Sequence, residues 1–177
     1  MRLPIMIDYV EIPNGVSVSI EDGKIHIKGP KGEKYRNINN RDIIAEIKEN
    51  KIIFKAYFPS KKIIKDMNTM IAHIKNDIEG VTKGFVYKLR GVSIHFPLKL
   101  KLQNNKLIIE NYMGGRDIKE IEIPQGVKAT LNENEITLEG HDIELLGNLA
   151  GLIENSVKPR EKDLRKFQDG IYIIQKP

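Results

Sequence analysis

Ile123-Pro-Gln-Gly-Val-Lys-Ala-Thr-Leu-Asn-Glu-Asn-Glu-Ile-Thr-Leu-Glu-Gly140 repeats a stretch met 111 positions earlier, Ile12-Pro-Asn-Gly-Val-Ser-Val-Ser-Ile-Glu-Asp-Gly-Lys-Ile-His-Ile-Lys-Gly29. Ile12, Pro13, Gly15, Val16, Ile25 and Gly29 recur unchanged as Ile123, Pro124, Gly126, Val127, Ile136 and Gly140. Ile20 and Ile27 are matched by Leu131 and Leu138. In both copies apolar residues alternate on either side of a polar turn, Glu21-Asp22-Gly23 or Asn132-Glu133-Asn134. Alternation around a turn of that composition specifies a β-hairpin, so the chain contains the same hairpin twice.

Each hairpin is followed by a helical period. Ile63, Ile64, Met67, Met70, Ile71, Ile74 and Ile78 recur at spacings of about three and four, between Ser60 as N-cap and Gly80 as stop. Leu145, Leu146, Leu149, Leu152 and Ile153 do the same behind Asp142. These patterns predict an α+β protein of two tandem related domains, each an antiparallel β-sheet packed against one α-helix. The expected division is 1–80 and 81–177, with helix matching helix as hairpin matches hairpin. The stretch at about 33–58 reads as an extra hairpin widening the first sheet. In the second domain, strands are expected at 85–90, 92–96, 98–102, 107–112 and 118–123, with Ile171–Ile174 docking as a last strand.

With no Cys among 177 residues, disulfides and thiolate metal sites are excluded, and a reducing, cytoplasmic setting fits. The first residues do not read as a signal peptide, and no run is apolar enough to span a bilayer. The net charge of +5 is unevenly placed. Residues 80–109 carry Lys83, Lys88, Arg90, Lys99, Lys101 and Lys106 and no acid, residues 110–155 are strongly acidic, and the tail is basic again. Such asymmetry points to a polyanion on one face.

His26, His73, His95 and His141 fall on different elements without ligand spacing, so no metal is expected. Neither phosphate-loop motif is present, and no cofactor or small-molecule substrate is implied. Glu120, Glu122, Glu133 and Glu135 alternate with apolar residues as on a solvated strand face, which argues against catalytic carboxylates. Two stretches suit phosphate. Gly114-Gly115-Arg116 combines a backbone free of Cβ with a guanidinium able to bind an oxyanion bidentately. The tail offers Lys158, Arg160, Lys162, Arg165 and Lys166, with Phe167 and Tyr172 as stacking or anchoring rings. The candidate RNA-binding set is therefore Lys83, Lys88, Arg90, Lys99, Lys101, Gly114, Gly115, Arg116, Lys158, Arg160, Lys162, Arg165, Lys166 and Phe167.

Over nearly its whole length the chain resembles the large-subunit ribosomal protein six family in its archaeal and eukaryotic form. The resemblance rests on the duplicated Ile-Pro-x-Gly-Val hairpins, His95-Phe96-Pro97 and Asn111-Tyr-Met-Gly-Gly. Its most specific strings are Leu138-Glu-Gly-His-Asp-Ile-Glu-Leu and Asp163-Leu-Arg-Lys-Phe-Gln-Asp-Gly-Ile-Tyr172. It implies a structural constituent, not an enzyme, whose second domain and tail contact large-subunit rRNA near the sarcin–ricin loop, beside the translation-factor site. Neighbouring large-subunit ribosomal proteins are implied as further partners. The bacterial branch ends in a different tail, from which Lys158-Pro-Arg departs, so bacterial tail contacts do not carry over. Two other readings stay open: a free-standing RNA-binding regulator, and an enzyme using the acidic 110–155 segment.

Overall fold

The computed structural model describes residues 4–38, 40–159, 162–163 and 165–177. The chain divides into two units, Met1–Gly84 and Phe85–Pro177. The first contains β1 (Ile5–Glu11), β2 (Ser17–Glu21), β3 (Lys24–Gly29), β4 (Gly32–Asn37), β5 (Ile44–Lys48), β6 (Lys51–Tyr57) and α1 (Lys61–Thr82). The second contains β7 (Phe85–Val92), β8 (Lys99–Gln103), β9 (Lys106–Glu110), β10 (Lys119–Glu122), β11 (Val127–Asn132), β12 (Glu135–Gly140), α2 (Ile143–Ser156) and β13 (Gly170–Gln175). The protein is α+β with antiparallel pairing throughout, but each unit carries two sheets where one was expected. Their strand orders are β1-β6-β5 and β2-β3-β4 in the first unit, β10-β9-β8 and β11-β12-β7-β13 in the second.

The repeated string makes the corner between the two sheets. Val16 and Val127 donate their amides to the Pro13 and Pro124 carbonyls at 3.2 and 3.3 Å. Gly15 and Gly126 take φ of 91° and 90°. This is a type II turn, whose third residue must enter the left-handed region, which is why both copies keep Gly there. The residue before the turn is fastened identically in both units. Ile12 donates its amide to the Asn50 carbonyl at 2.9 Å and accepts from Asn50 Nδ2 at 2.7 Å. Ile123 does the same with Asn105, at 2.9 and 2.7 Å.

Those Asn residues end equivalent left-handed turns, Glu49-Asn50 and Asn104-Asn105. The β5–β6 hairpin is therefore not an addition: its counterpart is β8–β9, paired to β10 as β5–β6 is paired to β1. Likewise β4 and β7 both line the free side of the repeated hairpin. Apart from β13, which has no counterpart in the first unit, the two units share one strand arrangement threaded in permuted order, with β4–β6 following the repeated hairpin and β7–β9 preceding it.

The helices do not match residue for residue. α1 continues past Gly80 to Thr82 and finishes beside the β3–β4 turn, where Lys31 donates its amide to the Val81 carbonyl at 2.9 Å. α2 instead starts where β12 ends, capped by the Asp142 carboxylate, which accepts from the Glu144 and Leu145 amides. Gly29 and Gly140 are equivalent, so the helices run in opposite senses along their sheets. Either way the apolar stripe meets the same hairpin residues. Ile25 and Ile27 are sealed with Met67 and Ile74 in one core, and Ile136 and Leu138 with Leu146 and Ile153 in the other. Burying each such side chain contributes about 1.5–3 kcal/mol, against a few tenths for an exposed ion pair, so packing sets the fold.

The outer faces of the equivalent sheets differ. On β10-β9-β8, Lys101 meets Glu110 at 2.8 Å and Lys106 meets Glu120 and Glu122 at 3.2 and 3.6 Å. On β1-β6-β5 the face mixes paired charges with exposed apolar residues, Ile7, Tyr9 and Tyr57 being more than half exposed at 57, 51 and 58%.

Candidate nucleic-acid interface

The expected strand at 92–96 breaks off at Val92, because Asp169 takes the backbone amides that would have paired. Asp169 Oδ1 accepts from the Ile94 and His95 amides at 2.7 and 3.0 Å, and Oδ2 lies 2.7 Å from His95 Nδ1. The Phe96 amide adds to the set. The carboxylate is 3% exposed. Burial pushes its pKa up, but the hydrogen bonds from the His95 ring and the three amides outweigh burial and hold it down at about 2.

Around this carboxylate three stretches meet. The His95 ring packs against Phe167, with centroids 5.1 Å apart. Asn111 Nδ2 donates to the Pro97 carbonyl at 3.0 Å. Gly114 lies against the Phe96 ring, where a Cβ would stand 2.8 Å from a ring carbon, and its φ is 71°. The absence of a side chain at Gly114 thus makes room for a ring of the protein itself, not for the phosphate expected there. Burial pushes the neighbouring Tyr112 hydroxyl up to about 12.

Of the sequence-predicted residues, the structure brings together Gly114, Gly115, Lys162 and Phe167, with Arg116 and Lys166 next to them in the chain. Phe167 is half-buried and serves as an anchor, with Lys162 Nζ 5.5 Å from its ring centroid. Arg116, Lys162 and Lys166 are exposed. Arg165 is 91% exposed and touches Asp163 at 3.2 Å. Lys158 is exposed just beyond α2, and Arg160 lies outside the described residues. The remaining predicted residues stand apart. Lys88 and Arg90 point away from α2 on the outer face of β7, with Arg90 in register with Glu135 and Tyr172. Lys99 and Lys101 lie on the outer face of β8, Lys101 already paired to Glu110. Lys83 was expected in the second domain; it caps α1 in the first unit and sits 3.5 Å from Glu79.

Sequence reasoning gave no role to Asp169 or Asn111, the two polar residues that hold the loop, and it read His95 as the end of a strand and not as a partner of a buried carboxylate. The end of the tail, Ile171–Ile174, was expected to dock as a strand, and it does so within β13. β13 pairs with β7, and Asp169, just before it, is tied to the 94–96 loop. Arg165 and Lys166 are presented from a turn in which their amides donate to Asp163, which lowers the entropy lost when an oxyanion binds. Among the described residues no cluster of three His, Asp or Glu could hold a metal ion, and no helix is long and apolar enough to cross a membrane.

Comparison with known proteins agrees with the resemblance. The profile of the ribosomal protein L6 family matches residues 12–84. The large ribosomal subunit protein uL6 of Nanoarchaeum equitans is 39% identical over 184 residues, spanning 99% of this chain and 96% of that protein. The uL6 of Sulfurisphaera tokodaii is 38% identical over 177 residues, spanning 99 and 95%. That of Aeropyrum pernix is 34% identical over 172 residues, spanning 97 and 94%.

Proposed function

The chain belongs to the uL6 family of large-subunit ribosomal proteins, and from that premise we propose that it binds large-subunit rRNA near the sarcin–ricin loop with its second unit. It is a non-enzymatic constituent of the large subunit of the cytoplasmic ribosome. The observation that carries the proposal is the tie between Asp169 and the 94–96 loop. It gathers the Gly114–Arg116 turn and the Lys162–Phe167 segment, whose cations face solvent. Cations held at fixed positions neutralise successive phosphates and release their counterions. The salt-bridged face of β10-β9-β8 adds less, since Lys101 and Lys106 already have carboxylate partners and Lys99 alone of its outward lysines has none among the described residues.

The finer partner reading extends to protein neighbours. The outer face of β1-β6-β5 sets exposed Ile7, Tyr9 and Tyr57 among charges that pair with one another, Lys55 and Lys48 sharing Glu46 while Lys51 meets Glu11. A face of exposed apolar residues whose charges are paired internally suits a neighbouring large-subunit protein better than a phosphate backbone.

The test is sedimentation of the native protein with large subunits through a high-salt gradient. Retention with the large subunit is the expected result. Release into the free-protein fractions at moderate salt would favour a free-standing RNA-binding regulator.

A further inference from the structure

We propose that the cleft between the C-terminal end of α2 and the edge strand β13 takes one unstacked base of the bound RNA. The proposal rests on the rRNA reading above and adds a readout site to it. The cleft measures about 600 Å³, roomier than a single nucleotide needs. Its apolar wall is Val92, Val157 and Ile171, the last two buried at 0 and 1% exposure. Tyr172 supplies an aromatic wall, and its hydroxyl donates to the Gln168 carbonyl at 3.1 Å, which fixes the ring before any ligand arrives.

The rim carries the groups that read base edges. Asn155 and Gln168 are exposed, and among the described residues neither side-chain amide has a hydrogen-bond partner. Each amide offers both donors and an acceptor, as a base edge requires. One oxygen of Glu154 accepts from the Ile173 amide at 3.1 Å, which leaves its other oxygen to accept from an exocyclic amine. Lys158 stands at the same rim without an ion pair among the described residues. A carboxylate beside a single ammonium is a poor seat for a bare phosphate. A flat, nearly neutral ring with polar edges fits the lining, and its own phosphate can lie against Lys158. The cations at Lys162, Arg165 and Lys166, four to eight residues farther along the chain, supply the path for the flanking backbone.

The experiment is base-reactivity footprinting of a large-subunit rRNA fragment with the full chain, wild type and Asn155→Ala/Gln168→Ala, with Tyr172→Leu as a second variant. The expected result is one unpaired base protected by the wild type and reactive again with either variant. Affinity should fall about tenfold with Tyr172→Leu, as loss of one stacking ring predicts. Thermal melting checks that both variants stay folded. The exposed pair carries the inference if Tyr172→Leu does not. Protection that persists in the folded double variant would overturn the cleft while leaving rRNA binding intact. A wild-type protein that fails to bind the fragment would instead overturn the rRNA reading. Titration with the four nucleoside 5′-monophosphates and with ribose 5-phosphate separates base from phosphate. Equal shifts with ribose 5-phosphate, or nucleotide binding with no change in the RNA footprint, would each contradict the proposal.

Discussion

Asp169 and Asp77 are the two buried carboxylates among the described residues, and they are neutralised differently. Asp77 is gripped by the Arg36 guanidinium, with contacts of 2.9 and 2.8 Å. Asp169 is held by backbone amides and an imidazole, so its removal frees a loop as well as a charge. Asp169→Asn should destabilise the protein by about 1–3 kcal/mol at neutral pH, since it weakens hydrogen bonds to a buried charge. The pH dependence follows from its pKa, about 2 when folded against an ordinary 3.8. A depressed carboxylate stabilises the fold fully above the unfolded value and loses that contribution as pH falls through the folded one. Between pH 5 and 2 the wild type should therefore lose about 2 kcal/mol that the Asn variant does not. Urea unfolding of both proteins across that range measures the difference, and parallel curves would refute it. Nothing near Asp169 in the sequence marks it as buried. Its partners lie on a loop far upstream, and Asp169-Gly170 reads equally well as an ordinary turn.

At the level of elements, the repeated hairpin was readable because its turn admits few residues: Gly at positive φ and Pro before it. The permuted order was not readable, since β5–β6 and β8–β9 share a position but little sequence. The visible trace was the pair of turns Glu49-Asn50 and Asn104-Asn105, which place Asn in the left-handed region and lock it to Ile12 or Ile123. Helix direction was also beyond reach, because apolar periodicity identifies a face but not the sense in which the helix crosses it. If the two corners are equivalent, Asn50→Ala and Asn105→Ala should each cost about 1–2 kcal/mol, from one lost hydrogen bond to a part-buried carbonyl and a strained turn. Equilibrium unfolding of the two variants checks this, and a cost confined to one of them would break the equivalence.

Across the whole molecule, two units built on one strand arrangement, the second with β13 added, present different surfaces, one with exposed apolar residues among paired charges and one with a pinned loop and basic tail. The asymmetry of charge along the sequence located the basic stretches. It overstated the strands, because Lys101 and Lys106 turn out to be paired with Glu110, Glu120 and Glu122. Among the described residues the cations without an ion pair include Lys88, Arg90 and Lys99 on the strands, and Arg116, Lys162 and Lys166 around the 94–97 loop, where three stretches meet. The direct test titrates the full chain and an Arg116→Ala/Lys162→Ala/Lys166→Ala variant against a large-subunit rRNA fragment at several salt concentrations. Each phosphate contact changes log K against log salt by about −0.9, taking the RNA as duplex-like. The variant should thus flatten the slope by up to about three while its stability stays within about 0.5 kcal/mol. An unchanged slope and affinity would contradict the account and move the RNA-binding face away from the loop and tail.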